Sequence, residues 1–326
     1  MENQVEDQYI KKIYEVMLSR EPDFEGLNNC MARLEEAGID GFAILLEEFS
    51  KSTEFTERIN SIPKENNLET NREFFFEELS EETLTKLFEQ TARYWRSIAS
   101  KPEEMYWSVL SSPSYKGILA YDVKKEFMKS GMEDVERIKS LCERVGYNLE
   151  QCHSYLEYGC GVGRLVYNLQ NGISKVNCVD FSSAHLDEAK KNLSATAAAS
   201  RYHYHHIKNL ADLRALPQHQ DIIHSSLVLQ HNTPPIIERA AGDLLRLLKS
   251  GGLAILHVPI AKACYKFDHN EYLLSAKAGN TMEMHILPKA NLYKVAKATG
   301  CNIVYSYCDG GCGGDIYSEI IVFQRS

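Results

Sequence analysis

Apolar positions along residues 5–60 recur at the spacing of one helical face. Ile10, Ile13, Tyr14, Met17 and Leu18 form a first stripe. "REPDFEGL" breaks it at Pro22, and Asp23 can start the next turn. Phe24, Leu27, Met31 and Leu34 form a second stripe, and Phe42, Leu45, Leu46 and Phe49 a third, closed by "SKSTEF". The pattern predicts a small all-α domain over residues 1–60. "NSIPKENNLETN" is polar, is broken by Pro63, and reads as a linker over 61–72. Residues 73–150 are helical again and hold both tryptophans, Trp95 and Trp107. This lead-in either covers a site on the next domain or packs on its outside.

From Tyr155 the period changes. "SYLEY", "KVNCVD", "YHYHHI", "DIIHSS" and "LAILHVP" read as strands. Between them "RLVYNLQN", ended by Gly172, reads as a helix, as do "SSAHLDEAKKNL", capped by Ser182 or Ser183, and "PPIIERAAGDLLRLLKSGG". The helix "KANLYKVAKATG" and the strands "NIVYSYC" and "SEIIVFQR" complete the chain. Alternating strands and helices specify an α/β fold: a Rossmann-like, mostly parallel sheet of seven strands with helices on both faces, over residues 151–326. The last two strands, joined by "DGGCGGD", should pair antiparallel.

The composition changes this picture little. Of 326 residues, 44% are hydrophobic and 25% charged, as in soluble globular proteins. No apolar run is long enough for a membrane-spanning helix. The start "MENQVEDQ" has neither the basic end nor the apolar centre of a secretion signal. Nine scattered cysteines then read as free thiols in a reducing, cytoplasmic setting. Cys308 and Cys312 with Cys301 could in principle hold a metal, but no CxxC or histidine partner accompanies them, and none is expected. The three histidines His203, His205 and His206 alternate between faces of one strand and do not form a metal cluster either. Residues 1–70 hold 16 acidic and 7 basic side chains, which accounts for the whole net charge of −9. A neutral body behind an acidic segment has no electrostatic footprint for nucleic acid.

The densest signal is "YLEYGCGVGRL". Three glycines stand at alternate positions, Gly159, Gly161 and Gly163, at the first strand-to-helix turn. In open α/β sheets ligands bind at the carboxyl ends of strands, so a closely approaching ligand is the expected reason for the missing side chains. A dinucleotide fingerprint would place its third glycine at 164, where Arg164 stands. Glu157 would repel a diphosphate and would suit an amino group or a sulfonium. Asp180 ends the second strand, where an acid accepts hydrogen bonds from ribose hydroxyls. A ribose, a positive charge and no diphosphate together describe S-adenosylmethionine.

"LEYGCGVGRL", "VDFS", "DIIHSSLVLQH" and "LLKSGGLAILHVP", in this order over about Tyr155 to Gln324, resemble the successive motifs of class I S-adenosylmethionine-dependent methyltransferases. The resemblance implies that Glu157, Gly159, Cys160, Gly161 and Gly163 cradle the methionine part. It further implies that Asp180 and Phe181 hold the ribose side, that Asn209 and Leu210 contact adenine, and that Ser226 lines the site. "IYEVMLSREPDFEGLNNCMARLEEAG" is similar to a small helical domain of unknown function found in bacterial surface-associated proteins and beside enzymes that build glycans. That implies a glycan context and a protein partner for the N-terminal domain.

Methyl transfer from a sulfonium needs alignment above all. A hydroxyl acceptor also needs a base, and His231 and His285 are the candidates. His257, inside a strand, reads as a packed core residue. Asp309 and Asp315 read as solvated turn residues, with the substrate mouth as the alternative. Tyr94, Trp95, Tyr106 and Trp107 either pack the lead-in or offer a flat face to a sugar. The expected activity is methylation of a hydroxyl on a sugar or glycan intermediate. The alternatives are N-methylation of a small metabolite or protein, and a non-catalytic cofactor-binding scaffold.

Overall fold

A computed structural model of the chain describes residues 10–18, 21–37, 40–55, 79–170, 172–263, 265–275, 279–313 and 316–326. The expected linker over 61–72, and with it Cys264 and Asp315, lie outside the described residues. The chain divides into two compact units, Met1–Thr70 and Asn71–Ser326.

In the first unit a helical stretch from Ile10 runs into a π-helical segment, Tyr14–Leu18, followed by helices α1 (Phe24–Ala37) and α2 (Asp40–Lys51). Asp23 caps α1 by accepting the Gly26 N–H at 2.7 Å. Ile10, Tyr14, Cys30, Leu34 and Leu45 form the core, and the Tyr14 ring meets Phe49 edge-on at 4.8 Å. Among the described stripe residues, Phe24, 83% exposed, and Leu46, also exposed, do not join it. Phe24 is the first residue of its helix, before the face that packs has been established.

The second unit is built on a seven-stranded sheet. Its strands are β1 (Ser154–Tyr158), β2 (Lys175–Asp180), β3 (Tyr202–His206), β4 (Gln220–Ser225), β5 (Leu248–Lys262), β6 (Cys301–Cys308) and β7 (Ile316–Arg325). Their order is β3-β2-β1-β4-β5-β7-β6. β1 to β5 are parallel, and β7 runs antiparallel between β5 and β6. The chain grows outward from β1 in one direction and then, from β4, in the other. The switch point between β1 and β4 is where such sheets bind ligands.

Helices cover both faces. On one lie α3 (Glu81–Ala99), the short α6 (Ala211–Arg214), α7 (Pro234–Arg246) and α9 (Lys289–Ala298), packing Phe88, Leu213, Ile237, Leu244 and Leu292 onto Leu156, Ile223 and Leu256. On the other lie α4 (Tyr121–Arg144) and α5 (Ser183–Ser194), packing Ile138, Leu141, Leu186 and Leu193 onto Tyr155, Val176 and Ile222. Ser182 caps α5, accepting the His185 N–H at 3.3 Å. A short helix α8 (His269–Leu274) precedes α9. Among the described residues no helix is long and apolar enough to cross a membrane.

One expected element differs. "RLVYNLQN" is not a helix but a series of turns with a single 3-10 turn, Val166–Asn168. Its carbonyls are taken by other donors. Arg201, buried, donates to Leu169 O at 2.8 Å and to Gln170 O at 2.6 Å. Asn168 Nδ2 donates to Arg164 O and to Met128 O on α4. Helix α4 also lies too close for side chains: a Cβ on Gly131 would sit 2.3 Å from Arg164 O.

Candidate active site

A cavity of about 610 Å³ opens at the carboxyl edge of the sheet, over the switch point. Of the residues expected to bind the cofactor, Glu157, Gly159, Cys160, Gly161, Asp180, Phe181 and Ser226 line it, and so does His231. Gly163, Asn209, Leu210 and His285 do not line it. Asn209 is exposed and caps the turn into α6, its Oδ1 accepting the Ala211 N–H at 3.0 Å. Leu210 is buried in the core beneath.

The glycines have a reason besides the expected ligand. All three have positive φ: 78° at Gly159, 52° at Gly161 and 84° at Gly163. In each case the space a Cβ would take belongs to another side chain of this protein. Val228 Cγ2 would be 2.2 Å from it at Gly159, Val109 Cγ2 2.7 Å at Gly161, and Leu193 Cδ1 3.1 Å at Gly163. The turn is thus clasped between the segment after β4, the lead-in and α5.

Glu157 is part of the cavity wall. It lies beside Cys178 of β2 and His224 of β4 in the sheet register. Its carboxyl is buried, and Oε2 has no partner. Burial pushes its pKa up to about 8, against the pull of the nearby Arg164 guanidinium. A buried carboxylate with an idle oxygen at a cavity wall fits a cationic group placed against it.

Asp180 is anchored from below. Its Oδ2 accepts the Gly161 N–H at 3.0 Å and its Oδ1 the Ser182 N–H at 2.8 Å. A carboxylate has about four acceptor sites, so capacity remains for hydroxyls on the cavity side. His185 stands 3.8 Å from Asp180 and shares a 2.9 Å hydrogen bond with Ser108 of the lead-in. Arg96 of α3 donates to Phe181 O and Lys208 O, tying together the loops after β2 and β3.

The acceptor-side candidates separate. His231 lines the cavity with its ring 4.6 Å from that of Trp95. Its Nδ1 is 2.9 Å from Glu283 O, so Nδ1–H donates there and Nε2 carries the lone pair, which the Gln230 Nε2 amide faces at 3.4 Å. Burial pushes its pKa down to about 4. His285 lies behind it, boxed by Tyr265, Phe267 and Tyr272 and 3.3 Å from Glu283 Oε2. Of Tyr94, Trp95, Tyr106 and Trp107, only Trp95 lines the cavity. Tyr106 is buried on Phe127 with its hydroxyl donating to Glu188, and Lys116 covers Trp107.

Some lining residues were not expected from the sequence. Arg164 pairs with Asp134 of α4, and Asp134 also accepts from Arg137 at 3.2 Å. Spacing of 134 and 137 by three on one helix was the available signal. Asp309, read as a solvated turn residue, instead lines the cavity and sits 3.2 Å from His257 Nε2. His257 is buried as expected, but within this polar contact. Cys301 and Cys308 stand at opposite ends of β6, so no common metal joins them, and Cys312 donates to Gln230 Oε1 at 3.3 Å. Among the described residues no group of three His, Cys, Asp or Glu could hold a metal ion.

Residues 156–252 match the family model described as "Methyltransferase domain", and residues 1–59 match a domain of unknown function, DUF4214. A demethylmenaquinone methyltransferase of Leptospira interrogans is 31% identical over 113 residues, 33% of this chain and 43% of that protein. The chain thus spans less than half the length of the curated relatives it matches. Among solved structures, magnesium protoporphyrin IX methyltransferase from Synechocystis PCC 6803 with bound SAM aligns at a TM-score of 0.49 and 17% identity, over 72% of this chain and 97% of that one. The N-methyltransferase NodS from Bradyrhizobium japonicum WM9 aligns at 0.46 and 10%, over 72% and 98%. Residues 156–252, the stretch that matches the methyltransferase domain model, supply the glycine turn, Glu157 and Asp180.

Proposed function

We propose that the protein transfers a methyl group from S-adenosylmethionine to a hydroxyl of a sugar or glycan intermediate. The observation that carries the cofactor assignment is Glu157: a buried carboxylate with an unpartnered oxygen, set in the same cavity as Asp180. Glu157 would hold the amino group of the methionine part, Asp180 the ribose hydroxyls, and the Arg164–Asp134 pair the polar end of that part. When bound, S-adenosylmethionine supplies an electrophilic methyl on a sulfonium.

The remaining work falls to the chain. The Ser226–His231 segment, clasped to the glycine turn through Val228, places His231 beside the cavity. The Nε2 lone pair of His231 accepts the hydroxyl proton as the oxygen is alkylated, and the ring starts neutral because its burial disfavours the cation. Trp95 shields this end from water and offers a flat face of the kind that packs against a sugar ring. The glycan part of the proposal is supported by the resemblance of residues 8–55 to domains found in that context.

The test is calorimetric titration with S-adenosylmethionine of the wild type, Glu157→Gln and Asp180→Ala, with NAD as control. Selective binding by the wild type, weakened about tenfold or more in each variant, is expected. Equal binding of NAD, or no binding at millimolar ligand, sinks the assignment.

A further inference from the structure

Asp309 and His257 have no part in the methyl transfer as proposed. The cavity runs from Asp180, at the end of β2, to Asp309, in the turn that leads into β7. Four inter-strand spacings separate these strands in the sheet order, roughly 19 Å. Asp309 therefore stands at the end away from the ribose acid, in a turn whose Cys312 reaches His231 through the Gln230 side chain.

This carboxylate is held in place. Its Oδ1 accepts the Ser318 hydroxyl at 2.7 Å, and Oδ2 faces His257 Nε2 at 3.2 Å. The dyad's charge depends on the proton count of His257. Asp309 and Cys312 outweigh its burial and push its pKa up to about 9, which by itself would protonate both nitrogens and leave a neutral ion pair. However, the Leu227 N–H points at Nδ1 from 3.3 Å and needs a lone pair there. A neutral ring satisfies both neighbours, with Nε2–H donating to Asp309 and Nδ1 accepting from Leu227. The pair then keeps one full negative charge. Leu227 itself is held at a φ of +57°, rare for a branched side chain, and it lines the cavity. The arrangement is a built one.

Among the described residues no lysine or arginine pairs with Asp309, whose ion-pair contact is His257. The cavity's two arginines, Arg137 and Arg164, lie against Asp134 instead. An acceptor that brings its own cation would complete the contact with Asp309. Trp95, against His231, adds an aromatic face of the kind that attracts cations.

Resting on the methyl-transfer proposal, we infer that the acceptor carries a protonated amine beside the hydroxyl that is methylated, and that Asp309 is the residue that selects it. An acceptor bearing a carboxylate or phosphate at that position is rejected by like charge.

Three probes of one ring shape and different charge test this: glucosamine, N-acetylglucosamine and glucuronate. Each is titrated at low salt into the full chain saturated with S-adenosylhomocysteine, with binding followed by ligand-observed NMR. Glucosamine should bind at least about tenfold more tightly than glucuronate, with N-acetylglucosamine between them. Asp309→Asn should bring the three within about threefold of one another, and Asp309→Glu should keep the order. The idea is overturned if glucuronate equals glucosamine in the wild type, if glucosamine shows no binding at about 50 mM, or if Asp309→Asn keeps the ratio. The wild-type order is decisive even where the variant does not fold. Binding of S-adenosylhomocysteine, read in the same samples, reports separately on the cofactor assignment.

Discussion

Replacing Gly159 by alanine separates two accounts of the glycine turn. At φ 78° an L-residue costs roughly 1–2 kcal/mol. The new Cβ would also stand 2.2 Å from Val228 Cγ2 and 2.7 Å from Cγ1, so one of the two must move. Overpacking of this kind costs about 1–3 kcal/mol. The sum for Gly159→Ala is about 2–5 kcal/mol. Adding Val228→Ala should recover the overpacking part and leave the backbone part, giving a coupling of at least about 1 kcal/mol in a double-mutant cycle. Urea unfolding followed by tryptophan fluorescence is the assay. The only tryptophans, Trp95 and Trp107, both lie in the unit Asn71–Ser326, so the signal reports that unit alone. Strict additivity of the two substitutions, or a Gly159→Ala loss below about 0.5 kcal/mol, would refute the idea that Val228 rather than a ligand sets the need for glycine here.

Three further outcomes are expected. Glu157 is raised from 4.5 to about 8, so the folded state binds the extra proton between these values; stability should fall as pH rises through that window, level off above it, and lose this slope in Glu157→Gln, as urea midpoints at about pH 5, 6.5 and 8 will show. His231, held near 4, is neutral above about pH 5; His231→Ala should lower turnover about 10²–10⁴-fold with S-adenosylhomocysteine affinity unchanged, and unaltered turnover would remove it as the base. Arg201→Ala should cost about 3 kcal/mol or more, since it strands the carbonyls of Leu169, Gln170 and Ile173, and a urea-measured loss under about 1 kcal/mol would contradict that.

Most strands and helices were legible because their period is local: alternation and 3.6-residue spacing need no partner. One wall of the cavity was legible for a related reason. Glu157, Gly159, Gly161, Asp180, Phe181, Ser226 and His231 all sit at or just past strand ends, and a parallel sheet brings those ends to one edge. The misread helix after β1 shows the limit. Its sequence suits a helix, but Arg201, Asn168 and α4 take its carbonyls and its space, and all of that is tertiary.

The sequence by itself determined which segments pair, which turn carries the glycines and which acids stand beside it, because these follow from side-chain period and from adjacency along the chain. Only the tertiary structure decided that Val228, Val109 and Leu193 fill the glycine spaces. It alone decided that Arg164 meets Asp134, that Asp309 turns inward onto His257, and that His285 stands behind His231. Those contacts join residues far apart along the chain, and their distance is set by packing that no local pattern encodes.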